Sequence, residues 1–149
     1  MSAKQVVFIC VENACRSLMA EAIFNAHPPP GWVAVSAGTK PALVPNPRTA
    51  PMLEEMGLQI PPHAPRLLTR EMMDESRVRV TMGCLDDASC PAHLKGLEVR
   101  DWSLPDPARL DDAGFREVRD RIASHVKGLR LELIVSDRAT AQRMRSAAV

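Results

Sequence analysis

Apolar positions along the chain alternate between short continuous runs and stripes at helical spacing. Gln5–Ile9 (QVVFI) is an uninterrupted run rich in β-branched residues, which predicts a strand buried on both faces of a parallel sheet. SLMAEAIFNA, Ser17 to about Ala26, has helix formers at helical apolar spacing, with Ser17 placed as an N-cap and HPPP as the stop. Trp32–Ser36 predicts a second strand closed by Ala37 and Gly38. Asn46–Met56 predicts a helix with Pro47 early and Gly57 as its cap. Arg77–Met82 and Glu98–Trp102 predict the third and fourth strands, and Asp112–Leu129 a long amphipathic helix. The alternation implies an α/β sandwich, a four-stranded parallel sheet flanked by helices, with one domain over residues 1–133. Residues 134–149 form a basic, weakly patterned tail whose alternatives are fraying or an extra helix.

Composition narrows the function classes. The chain has 149 residues, 46% of them hydrophobic, with 19 basic and 18 acidic side chains, so it builds one core. This charge balance argues against a nucleic-acid partner. No apolar run has the length of a secretory or transmembrane segment, so the expectation is a cytoplasmic protein without a membrane partner. Four cysteines in such a chain point to catalysis, redox exchange or metal rather than to a permanent crosslink.

The first predicted strand delivers Cys10 to the carboxyl edge of the sheet, where ligands bind in open α/β folds. The five residues Val11, Glu12, Asn13, Ala14 and Cys15 then separate Cys10 from Arg16. A loop of that length curls so that successive backbone N–H groups face an anion, and the following helix adds the positive end of its dipole. Arg16 supplies a planar fork of donors able to grip two oxygens. The same field favours a thiolate at Cys10, with the Ser17 hydroxyl placed to hydrogen-bond the sulfur. The chemistry these residues suggest is thiolate attack on a tetrahedral oxyanion.

C-x5-R-S after a buried strand, with Asn13 in the loop and MAEAIF opening the helix, resembles the phosphate loop of the low-molecular-weight protein tyrosine phosphatase fold. The resemblance runs from Gln5 to about Leu129 and includes AVSAGT, NPRTAPMLEEMG and FREVRDRI. That fold serves phosphotyrosine phosphatases and thioredoxin-coupled arsenate reductases. Cys84 and Cys90 stand where the resembled reductases carry a redox pair, although five residues separate them where the family more often has six. The resemblance implies that Cys10 attacks arsenate, Cys84 attacks the Cys10 sulfur to release arsenite, and Cys90 attacks Cys84. The resulting Cys84–Cys90 disulfide passes to a dithiol such as thioredoxin. Asp106 in SLPDPARL matches the general acid of the family. Related phosphatases follow that Asp-Pro with paired tyrosines; this chain has Ala108 and Arg109 there, and no tyrosine at all, which favours a small inorganic substrate. Phosphate is then a competitor, and neither a cofactor nor a metal is called for.

Two departures stand out. Glu12 occupies a loop position where many relatives have glycine, and its carboxylate is tolerable only if it points away from a bound anion. Some of the reductases bind a monovalent cation near Asn13 with residues matching Glu21, Ser36 and an acid; Arg66 replaces that acid here, so its guanidinium is expected to supply the positive charge internally.

Rival readings accompany each assignment. Cys15 fits a packing thiol. A zinc site from Cys10, Cys15, Cys84 and Cys90 satisfies ligand type, but the C-x4-C and C-x5-C spacings fit zinc knuckles poorly. Asp106 suits a turn cap before Pro107, and His63 and His93 read as surface or loop residues. At the level of function, the alternatives to arsenate reduction are a phosphotyrosine or small phosphomonoester phosphatase and an arsenite-binding regulator. The electron donor, thioredoxin or a low-molecular-weight thiol, stays open.

Overall fold

The computed structural model of the chain describes residues 3–83 and 98–147. Strand β1 (Lys4–Cys10) is central in a parallel sheet of order β2-β1-β3-β4, where β2 is Trp32–Gly38, β3 is Val78–Thr81 and β4 is Arg100–Asp101. Helix α1 (Arg16–Ala26) follows β1, α2 (Thr49–Glu54) follows β2, α3 (Arg70–Glu75) precedes β3, and α4 (Asp112–Ala147) closes the fold. The expected four-stranded parallel α/β sandwich is the observed one.

β1 is buried on both sides because its alternate residues enter two cores. Val6, Phe8 and Cys10 face the larger core, where Met19, Phe24, Phe115, Ile122 and Val126 of α1 and α4 pack. Val7 and Ile9 face a smaller one with Ala37, Leu68 and Met73 of α3. Phe8 meets Phe24 edge-on at 6.1 Å and Trp102 at 5.5 Å, while Trp102 stacks on His125 at 4.8 Å. Truncating Phe8, fully buried, would cost on the order of 3–5 kcal/mol.

Several element boundaries differ from the pattern-based expectation. Ser17 is not the N-cap of α1: the helix begins one residue earlier, with Cys15 at the cap and no side chain capping it, because the Ser17 hydroxyl is engaged elsewhere. Helix α2 starts at Thr49, not Asn46, because the Asn46 Oδ1 accepts from the Arg48 N–H at 2.9 Å and folds residues 46–48 into a turn. Past its other end Gly57 is left-handed (φ +76°) as the expected cap, and the Leu58 N–H returns to the Leu53 carbonyl at 3.0 Å. Strand β4 keeps only two residues of Glu98–Trp102. Helix α3 is absent from the sequence-based reading, although Thr69 caps it by accepting from the Met72 N–H at 3.2 Å.

Residues 134–147 continue α4 without a break. Asp137 holds this stretch against the sheet, accepting from Trp32 Nε1 and pairing with Lys4 Nζ, both at 2.9 Å. No helix among the described residues is long and apolar enough to cross a membrane.

Helices α2 and α4 are clasped by Glu55, which accepts from Arg116 at 3.0 Å and from Arg119 at 2.6 Å. The Arg116 hydrogen bond, then that of Arg119, lowers the Glu55 carboxyl to about 2 from an ordinary 4.5. A carboxyl depressed on folding contributes stability that is fully present above its unfolded value and is lost as pH falls through its folded value. Thermal melting between about pH 5 and about pH 2 should therefore decline less steeply for Glu55→Gln than for the wild type.

Candidate active site

The β1–α1 connection wraps around one buried amide. Asn13, fully buried and in the left-handed region at φ 51°, donates from Nδ2 to Ser17 Oγ at 2.7 Å and to Ser36 Oγ at 3.0 Å, while its Oδ1 accepts from the Arg66 N–H at 3.1 Å. β2 can lie this close only because residue 38 is glycine: a Cβ there would stand 2.5 Å from the Val11 carbonyl oxygen and 2.9 Å from the Asn13 nitrogen. The loop is also tied from the α2 side, where the Asn46 N–H and the Thr49 hydroxyl both donate to the Ala14 carbonyl, at 3.0 and 2.7 Å.

Held in this way, the loop forms the floor of a cavity of about 350 Å³. Cys10, Val11, Glu12, Ala14, Cys15 and Arg16 line it from the loop, Gly83 from the end of β3, and Leu104, Pro105, Asp106 and Arg109 from the far side. No aromatic residue lines it among those described. Asn13 is the one loop residue turned away, serving the scaffold rather than the cavity.

Cys10 Sγ lies 2.9 Å from Ser17 Oγ, so the hydroxyl can donate to a sulfur anion as expected. Arg16 is 4% exposed and donates from Nη1 to the Met82 and Leu104 carbonyls at 3.0 and 2.9 Å. Its Nε is buried with no partner among the described residues. An unpaired buried donor carries a desolvation cost. The uncapped start of α1 adds backbone donors and the positive end of the helix dipole. The arrangement thus offers a thiol nucleophile and a cationic oxyanion cradle in one cavity.

Asp106 is the turn cap the sequence allowed, and it stands beside the cavity. Its Oδ1 accepts from the Ala108 N–H at 3.0 Å, capping a single 3-10 turn (Pro107–Arg109), and its side chain also borders the cavity. The Cys15 thiol points to the same oxygen at 3.9 Å. Burial first, then Cys10 and Asp106, pushes the Cys15 thiol up to about 12. Cys84 and Cys90 lie outside the described residues.

Residues 5–140 match the model of the low molecular weight phosphotyrosine protein phosphatase family. The chain belongs to this family. Within it, arsenate reductase 1 of Staphylococcus epidermidis is 33% identical over 85% of this chain and 96% of its own. An arsenate reductase structure from Archaeoglobus fulgidus is 33% identical with a TM-score of 0.71, covering 83% of this chain and 97% of that one. The thioredoxin-dependent arsenate reductase of Corynebacterium glutamicum is 31% identical with a TM-score of 0.75; the match takes in 91% of this chain but spans only 64% of the longer relative.

The surroundings of Glu21 bear on the monovalent cation that the resemblance raised. Glu21, 6% exposed, accepts from Ser36 Oγ at 2.7 Å and lies 3.8 Å from the Arg66 guanidinium, whose Nε donates to the Ser36 carbonyl at 3.0 Å. His63, read as a surface or loop residue, is 20% exposed and sets Nε2 at 3.0 Å from both Glu21 oxygens. Sequence reasoning missed this contact, since PPHAPR carries no local signal of it. These residues do not fit a bound monovalent cation, because Arg66 and His63 already occupy the approach to the Glu21 carboxylate. His93 lies outside the described residues.

With its thiol held protonated at neutral pH, Cys15 should resist iodoacetamide up to about pH 9 in the folded protein and react once the chain is unfolded, as read by peptide mass spectrometry.

Proposed function

We propose that this protein reduces arsenate to arsenite, with Cys10 as nucleophile, Arg16 and the amides of residues 11–16 as oxyanion binder, Ser17 as stabiliser of the thiolate, and Asp106 as acid. The observation that carries the reading is the cavity itself: a thiol, a buried guanidinium and a carboxylate line one space that, among the described residues, has no aromatic wall. At the position where related phosphatases place tyrosines, Arg109 lines the cavity instead. A cation there suits a small oxyanion better than a phenyl ring. The arsenate reductase relatives support the same substrate.

The Cys10 thiolate attacks arsenic while Asp106 protonates the departing hydroxyl, which leaves as water. Cys84 then attacks the Cys10 sulfur. The electron pair of the sulfur–arsenic bond passes to arsenic, arsenite leaves, and a Cys10–Cys84 disulfide remains. Cys90 attacks Cys84 in turn, freeing Cys10 and forming the Cys84–Cys90 disulfide, which an external dithiol reduces with two electrons. Thioredoxin is the proposed dithiol, supported by the thioredoxin-dependent relative.

Arsenate-dependent NADPH oxidation with thioredoxin and thioredoxin reductase tests the scheme. Wild type should turn over, and Cys84→Ser and Cys90→Ser should each abolish steady turnover. No arsenate turnover, with para-nitrophenyl phosphate hydrolysed equally by all three proteins, would make the protein a phosphatase. Stoichiometric arsenite binding without turnover of either substrate would make it an arsenite-binding regulator.

The Arg66 guanidinium supplies the positive charge beside Glu21, so the reductase rate should be unchanged when potassium replaces a bulky organic cation at constant ionic strength. A several-fold rise on adding potassium would overturn this assignment.

A further inference from the structure

The turn that carries Asp106 is closed from within by the Asp106 cap on the Ala108 N–H and by the Arg109 and Leu110 N–H groups, which donate to the Asp106 and Pro107 carbonyls at 3.3 and 3.0 Å. It is a single 3-10 turn, Pro107–Arg109, and its residues apart from Pro107 are exposed. What anchors it to the rest of the fold is a side chain from the segment before α2. Arg48 Nη1 donates to the Leu110 carbonyl at 2.9 Å, and Nη2 donates to the Pro107 and Ala108 carbonyls, both at 3.2 Å. The same guanidinium pairs with Asp112 Oδ1 at 3.2 Å and lies over the Phe115 ring, 4.8 Å from its centroid. Three carbonyls of one turn therefore converge on a single planar fork, while the first residue of α4 and a fully buried ring fix where that fork lies.

The backbone around Arg48 is no less constrained. Asn46 and Thr49, two residues before and one after, hold the Ala14 carbonyl of the anion loop. Residues 46–49 thus form a strut, gripping the loop of Cys10 at one end and the turn of Asp106 at the other. Cys10 and Asp106 are 96 positions apart in the chain, and this strut is a direct polar connection between the segments that present them.

We propose that Arg48 is a positioning residue for Asp106, setting the distance and direction from which the acid reaches an oxyanion held over Cys10. The inference rests on the reading of Asp106 as the acid. Lysine replaces Arg48 only in part, because an ammonium has no planar fork with which to span three carbonyls. Removing the guanidinium leaves Asn46 and Thr49 on Ala14, so anion binding stays intact while proton delivery suffers.

The test is a double-mutant cycle on arsenate turnover. Asp106→Asn should lower kcat/KM for arsenate about a hundredfold and Arg48→Ala about tenfold, with Arg48→Lys between Arg48→Ala and the wild type. The inhibition constant for phosphate should stay within about twofold in the Arg48 variants, since the anion loop is unchanged. In the Asp106→Asn background, Arg48→Ala should have no further effect, because the group it positions is already gone. Additive losses in the cycle would show that Arg48 acts independently of Asp106 and would overturn the inference, as would wild-type kcat/KM in Arg48→Ala. If Asp106→Asn turns over normally, the acid assignment itself falls and takes the inference with it. Where Arg48→Ala does not fold, the same cycle run with Arg48→Lys decides.

Discussion

Asn13 bonds in three directions from inside the anion loop, and the site depends on those bonds. Its amide nitrogen reaches Ser17 and Ser36, and its oxygen takes the Arg66 N–H. Through Ser17 it sets the hydroxyl that faces Cys10, and through Ser36 it reaches the buried Glu21. A fully buried side chain with all these groups satisfied fixes the loop far more firmly than loop sequence could, because moving any one partner strands a polar group away from water. The absent side chain at Gly38 belongs to the same constraint, since it lets the β2 end approach the loop backbone.

Glu21 is the one acidic member of that network, and a carboxylate so buried is stable only when paired. Here the pairing comes from His63 and Arg66, both delivered by the segment between α2 and α3. The Arg66 side chain also bonds the Ser36 carbonyl, and the backbone joins in: the Gly38 N–H donates to the Arg66 carbonyl at 2.8 Å. The irregular segment thereby becomes part of the sheet edge. The Arg66 segment and the anion cradle are thus joined through the same asparagine.

The scaffold beneath is simpler. β1 is buried on both faces, so it is the rigid element from which Cys10 projects, and α1 packs against it and against α4. α4 continues well past its last buried residue, Leu133, and its outer stretch is tied to the sheet by the Lys4 and Trp32 contacts of Asp137. Few apolar contacts hold this part, consistent with its weak sequence pattern.

Local features of the chain determined much of this by themselves. The doubly buried strand, the amphipathic start of α4 and the left-handed cap at Gly57 follow from short-range patterns, because burial period and backbone conformation are properties of neighbouring residues. Cys10, the loop and Arg16 were legible for the same reason, lying within seven consecutive positions. The sequence offered Ser17 both as a helix cap and as a partner of the Cys10 sulfur; it could not reveal that Asn13 shares the hydroxyl and the cap is given up, nor that Asn46 bends its segment into a turn. Those choices depend on partners that arrive only with the sheet. The same holds for Arg48 on the acid turn and for His63 on Glu21, 42 positions apart. Charged side chains at such separations carry no periodic signal, and only the tertiary structure decides which of several available partners each one meets.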